Sequence, residues 1–212
     1  MVARLLWQHG AVEVRPDTPF QLASGNYAPI YVNCRLLLSY PSTVDLITAF
    51  FHHYCDALQI SPDCVAGGET AGIAYGAWVA QRLNKPFVYV RKKPKGYGTG
   101  SRLEGRPQGE VLLVEDMVTD GGSKVGFIDG IREAGCQVRW CLVVFDRLQG
   151  AAEQLRERGV ALRALVDIRT CLDVGVREGV FSAETRRVVD EYFDDQGAWH
   201  ARRGLPYAPL GS

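Results

Sequence analysis

Several things are scarce in this chain. It has two methionines and four histidines, and its six cysteines include no CxxC pair. Structural zinc sites usually need closely paired ligands, so that spacing argues against one. Cys34, Cys55, Cys64, Cys136, Cys141 and Cys171 mostly sit among apolar neighbours. They read as buried free thiols in a reducing compartment, although an even count leaves a disulfide open. His52 and His53 fall in a helical stretch and read as surface or core-edge residues, and His9 and His200 carry no motif. Charge of one sign is also missing: 24 Lys and Arg balance 24 Asp and Glu, a net charge of zero. That argues against general nucleic-acid binding by bulk charge. No apolar run approaches the roughly 18 residues of a membrane span. The opening Met1–Gly10 turns polar too soon for a secretory signal, so a cytoplasmic setting is expected.

What is present suits a single soluble domain: 212 residues, 47% hydrophobic and 23% charged. From Cys64 onward, short apolar runs alternate with helical stretches. Val65–Gly67, Phe87–Val90, Val111–Val114 and Val138–Phe145 read as strands. Helices are expected over Val44–Leu58 and Ala71–Leu83, and from Ser123 to Ala134 with a stop at Gly135. The segment 92–109, rich in Gly, Lys and Pro, reads as a loop. Strand–helix–strand order implies parallel pairing with right-handed crossovers, so the fold class is α/β with a central, mainly parallel sheet flanked by helices. Residues 1–62, with a polar turn at Ala23–Asn26 and the stretch Ile30–Val32, form a small N-terminal hood. Residues 182–196 predict an acidic exposed helix, and residues 197–212 a loosely held tail.

The densest chemistry lies in Val111-Leu-Leu-Val-Glu-Asp-Met-Val-Thr-Asp-Gly-Gly-Ser123. A buried strand runs into the paired carboxylates Glu115 and Asp116. A loop with Thr119, Asp120, Gly121, Gly122 and Ser123 follows, and then a helix begins. Glycines let backbone N–H groups converge, and a helix start adds more of them with a positive dipole end. Such a loop cradles one phosphate. The acidic pair could accept hydrogen bonds from sugar hydroxyls, repel a stray anion or cap a neighbouring helix, and the carboxyl end of such a strand is where an open α/β sheet binds ligands. A Walker A loop does not fit, because the order here is Gly122-Ser-Lys124. Gly96–Gly100 approaches a dinucleotide fingerprint but ends in Ser101.

This stretch resembles the phosphoribosyl diphosphate (PRPP) signature of the type I phosphoribosyltransferases. The resemblance implies that Glu115 and Asp116 hold the ribose hydroxyls and that Thr119 to Ser123 hold the 5-phosphate. A second segment narrows it. Residues 85–106 carry seven basic residues against one acidic, a net of +6 in a neutral chain. Read alone it is a solvated charge run or a lid for a polyanion. Val90-Arg-Lys-Lys-Pro-Lys-Gly-Tyr-Gly-Thr-Gly100, followed by Leu103-Glu-Gly105, resembles the catalytic loop of orotate phosphoribosyltransferases. Ser24-Gly25, Pro29–Asn33 and Ser39–Pro41 resemble that family's hood, and Asp146-Arg147 its base-binding pair.

The resemblance, over roughly residues 18–175, implies transfer of the phosphoribosyl group from PRPP to orotate in pyrimidine biosynthesis. Arg91, Lys92 and Lys95 would grip diphosphate, with Lys92, Lys95 and Asp116 catalytic. Tyr31, Val32, Thr119 and Arg147 would meet orotate. Mg²⁺ is the expected cofactor, held mainly through PRPP with no certain protein ligand. A homodimer sharing the basic loop is expected, with no nucleic-acid or membrane partner. Three positions depart from the family pattern: Ala23 and Ala71 stand where lysine is frequent, and Tyr97 where histidine is. Other readings on the same fold are transfer to a different nucleobase and a PRPP- or nucleotide-sensing regulator.

Overall fold

A continuous apolar run needs cover on both faces, and Val111–Val114 finds it in the middle of a parallel sheet. The computed structural model describes residues 1–94 and 101–209. In chain order the elements begin with α1 (Val2–Gln8), β1 (Val12–Val14), β2 (Phe20–Gln21), β3 (Tyr27–Ala28), β4 (Ile30–Val32) and a 3-10 turn, Cys34–Ser39. Next come α2 (Pro41–Ala57), β5 (Cys64–Gly68), α3 (Ala71–Leu83), β6 (Phe87–Val90), β7 (Leu103–Glu104), β8 (Glu110–Val118) and α4 (Gly122–Glu133). The chain ends with β9 (Gln137–Asp146), α5 (Ala151–Arg156), β10 (Ala161–Asp167), α6 (Ile168–Arg177), α7 (Ala183–Asp194) and α8 (Gln196–Arg202).

Two compact units emerge. The larger holds residues 37–168, and its sheet runs in the order β10-β9-β8-β5-β6-β7. All neighbours are parallel except the short edge strand β7, which folds back on β6. Val111, Leu113, Val143, Cys141, Phe127 and Ile131 lie at its core. The mainly parallel α/β fold is as expected. Helix α2 starts at Pro41 rather than Val44, because proline suits the first helical position, where no N–H partner is needed. Helix α3 covers Ala71–Leu83 as read, ending on left-handed Asn84. The segment 92–109 is not all loop, since β7 lies within it. Residues 37–62, which the sequence reading put with the hood, lie in this larger unit.

The smaller unit combines residues 3–36 with the segment from Arg169 onward. Two antiparallel pairs, β1–β4 and β2–β3, form its strands. Residues 197–209 are far from loose. In α8, Trp199 and His200 have no exposed surface, and Trp199 packs with Tyr192 and Ala28. His200 Nε2 accepts from the Tyr27 N–H at 3.0 Å, while Nδ1 lies 2.6 Å from the Gln196 carbonyl. Asn26 closes two hydrogen bonds with the backbone of Ala208, at 2.7 and 2.8 Å. A buried imidazole and a buried amide, each satisfied by backbone, are what tie the tail down. All six cysteines are buried and free. Among the described residues no helix is long and apolar enough to cross a membrane.

Candidate functional site: the loops after β5 and β8

Strand β8 is longer than its apolar run, and it carries the acidic pair inside the sheet: Glu115 pairs with Val143 in the ladder, and Val118 with Asp146. Successive strand residues face opposite sides. Glu115 and Asp116, to which the sequence reading gave one role, are separated accordingly. Glu115 is 3% exposed, whereas Asp116 is half-buried. Both Glu115 oxygens are engaged internally. Oε1 accepts from the Gly68 N–H at 2.8 Å, and Oε2 lies 2.6 Å from Lys124 Nζ. Burial pushes the Glu115 carboxyl up to about 7, and Lys124 pulls against that shift. Desolvation of a carboxylate favours its neutral form, and an adjacent ammonium favours the charged one.

The loop after β8 turns on Gly121, whose φ of 97° lies in the left-handed region. A side chain there would also meet Gln154 Oε1 at 2.7 Å. Gly121, rather than the expected Ser123, precedes the first residue of α4, and Ser123 lies exposed in the first turn. Thr119 is half-buried and Asp120 exposed. Asp120 Oδ1 accepts from the Gly122 N–H at 3.1 Å. The predicted phosphate loop thus forms one continuous turn at the carboxyl end of the central strand, opening a helix of 12 residues. Its N–H groups and dipole suit an anion.

A second loop leaves the neighbouring strand β5. Gly68 and Gly72 flank Glu69, Thr70 and Ala71, and both glycines press against Glu115. A Cβ on Gly72 would collide with Glu115 Oε1 and come within 2.8 Å of its Cδ. Ala71, at the position where lysine is frequent, is buried as the first residue of α3. Glu69 ties this loop to the basic segment, since its N–H donates to Val90 and its Oε2 accepts from the Lys92 N–H at 2.9 Å. Lys92 is exposed. Arg91 donates its N–H to the Arg102 carbonyl at 2.8 Å and lies 3.7 Å from Glu104 by its guanidinium. The described ends of the basic segment are therefore pinned together beside the β5 loop. Lys95 and Tyr97 lie outside the described residues.

Arg147 follows β9 and is buried, and its N–H donates to Val118, one residue before Thr119. Asp146 accepts from the Leu148 N–H at 2.8 Å. Burial raises the Asp146 carboxyl, the Leu148 N–H opposes that, and Asp167 adds repulsion from the adjacent strand. In the smaller unit, Tyr31 is 43% exposed and stacks 5.4 Å from Phe20, while Val32 is buried. The larger unit thus gathers Asp116, Thr119–Ser123, Arg91, Lys92 and Arg147 at one end of its parallel strands. Lys124, Gly68, Glu69 and Gly72 join them. Lys124 carries one sequence signal, a lysine in the first turn of a helix, where the dipole disfavours a cation, while Gly68–Gly72 resembles the family's diphosphate loop.

Comparison with known proteins agrees with this geometry. The phosphoribosyl transferase domain family matches residues 37–161. The chain is 39% identical over 212 residues to orotate phosphoribosyltransferase of Sinorhizobium medicae, covering 96% of this chain and 90% of the relative. It is 41% identical over 213 residues to that of a Jannaschia species, covering 97% and 92%. The chain belongs to the orotate phosphoribosyltransferase family. A crystal structure of orotate phosphoribosyltransferase from Aeropyrum pernix superposes with a TM-score of 0.71 at 32% identity, covering 82% of this chain and 98% of that one. The chain has its acidic strand end at Glu115 and Asp116 and its glycine loop at Gly121 and Gly122. Its Ala23 lies exposed on the hood turn, and its Ala71 is built into a helix start.

Proposed function

We propose that this protein transfers the phosphoribosyl group from PRPP to orotate, giving orotidine 5′-monophosphate and diphosphate. The observation that carries this reading is the juxtaposition of two anion-receptive loops, after β8 and after β5, joined through the buried Glu115. PRPP needs that arrangement, because it bears a phosphate and a diphosphate on one sugar.

The Thr119 and Ser123 hydroxyls and the loop's backbone N–H groups other than that of Gly122, which Asp120 holds, receive the 5-phosphate at the start of α4. Asp116 accepts hydrogen bonds from the ribose hydroxyls. Glu115 has both oxygens occupied inside the protein, so the sugar contact falls to Asp116. Backbone N–H groups of Thr70–Gly72, at the start of α3, face the diphosphate, and Arg91, Lys92 and Lys95 add positive charge. As the bond from C1 to the diphosphate oxygen breaks, C1 gains oxocarbenium character and the leaving group takes the electron pair. A ring nitrogen of orotate then forms the new bond to C1 and gives up its proton to the diphosphate or to water. Lys92 and Lys95 stabilise the charge on the departing diphosphate, which positioned cations do best once water is excluded. Arg147 offers its guanidinium to the orotate carboxylate. Tyr31 and Val32 stay proposed contacts of the base.

Mg²⁺ fits this donor set. Among the described residues no cluster of three or more ligating side chains occurs, and the carboxylates of Asp116 and the exposed Asp120 are those nearest the phosphate loop in sequence. The ion would be held mainly by oxygens of PRPP, and when bound it supplies neutralisation of the diphosphate charge. A homodimer is part of the proposal. Leu38, Pro41, Val44 and Trp78, with Asp45, Thr48, Gln81 and Arg82, line a cleft of mixed character beside α2 and α3 that a second copy would cover. The cytoplasm is the proposed compartment, consistent with six free thiols.

The test is loss of the ultraviolet absorbance of orotate with PRPP and Mg²⁺, with uracil, hypoxanthine and adenine run in parallel. Turnover of orotate alone is expected. Turnover of another base, with none of orotate, would overturn the substrate.

A further inference from the structure

Lys124 is an odd residue for its place. It lies in the first turn of α4, where the helix dipole disfavours a cation, and it is 7% exposed, where an ammonium is costly to desolvate. A local preference broken twice at one position marks a constraint from elsewhere. Its Nζ lies 2.6 Å from Glu115 Oε2 and 3.4 Å from Ser123 Oγ. Glu115 in turn holds the Gly68 N–H through its other oxygen, and Gly72 packs against that same oxygen. One ammonium therefore connects the phosphate loop after β8 to the diphosphate loop after β5. Without it, the buried Glu115 would either stand as an unpaired charge behind N–H groups meant for an anion or take up a proton and weaken its hold on the Gly68 N–H.

We propose that Lys124 is a positioning residue for PRPP: by neutralising Glu115, it makes the two phosphate-receiving loops receptive together. This rests on the PRPP reading above.

The test is a cycle of Lys124→Met, Lys124→Gln and the double variant Lys124→Met/Glu115→Gln. The readouts are KM for PRPP, KM for orotate and kcat, with titration of PRPP and Mg²⁺ in the absence of orotate as a direct binding measurement. Lys124→Gln keeps a donor for Glu115 and removes only the charge. Both single variants are expected to raise KM and Kd for PRPP at least tenfold, with KM for orotate changed less than about twofold. The double variant, neutral at both positions, should return to within about threefold of the native protein. PRPP affinity unchanged in a folded single variant would overturn the proposal. So would a folded double variant that stays tenfold weaker, since charge would then not be the cause. If both single variants unfold while the double folds and binds PRPP normally, the pair serves fold stability alone and the positioning role is refuted. A native protein that binds PRPP but turns over no orotate would sink the transfer reading and leave this one standing.

Discussion

Gly72→Ala is a small change with a large expected consequence. The added methyl would overlap Glu115 Oε1 and approach Glu115 Cδ at 2.8 Å and the Val114 carbonyl at 3.0 Å. Val114 cannot give way, because it is held in the sheet between Gly67 and Leu142. The carboxylate has to move, and moving it breaks the hydrogen bond from the Gly68 N–H and disturbs the pair with Lys124. Overpacking costs about 1–3 kcal/mol. A buried N–H left without its partner adds about 1–3 kcal/mol. A combined loss of about 3 kcal/mol lowers Tm by roughly 6–12 °C in a chain of this size. Thermal unfolding followed by circular dichroism reads this directly. Gly122→Ala is the matched control. Its nearest neighbour would be Asp120 Oδ1 at 3.7 Å, an ordinary contact, and it opens a helix. It should leave Tm unchanged or raise it slightly. Equal Tm values for Gly72→Ala and the native protein would refute the packing of Glu115 against the β5 loop.

Three further outcomes are expected. The raised carboxyl of Glu115 means that the folded state keeps a proton between about pH 4.5 and 7 that the unfolded chain has lost. Its contribution to stability is therefore full below the unfolded value and is lost as pH rises through the folded one. Urea unfolding at several pH values should show this decline in the native protein, and Glu115→Gln should lack that component. Asn26→Ala removes both hydrogen bonds to Ala208 and should cost about 1–3 kcal/mol, with faster proteolysis of the C-terminal segment. A native cleavage pattern would contradict the anchoring. Asp116→Asn should raise KM for PRPP and leave Tm within about 1–2 °C, because the group is half-buried and lies outside the Glu115–Lys124 pair. Unchanged kinetics would remove Asp116 from the sugar site.

Much of the larger unit was legible because its signals are local. Phe87–Val90 and Ala71–Leu83 end where β-branched runs, helical spacing and a left-handed asparagine say they should. The glycine loop after β8 could be recognised from residue order alone. Helices α5 and α6 and strand β10 carried weaker patterns and went unread. The tail misled for a different reason: Gly, Arg and Pro in residues 197–212 read as loose chain, yet Trp199, His200 and Asn26 find partners far away in sequence.

The sequence by itself determined the α/β class, the phosphate loop and the family, since each depends on residues that are neighbours along the chain. Only the tertiary structure decided how the two acids divide. Strand alternation turned Glu115 inward, and only in three dimensions do Gly68, Gly72 and Lys124 close around it. Adjacent letters in a sequence carry no record of which face is buried, and a buried charge is settled by whatever the fold brings to meet it.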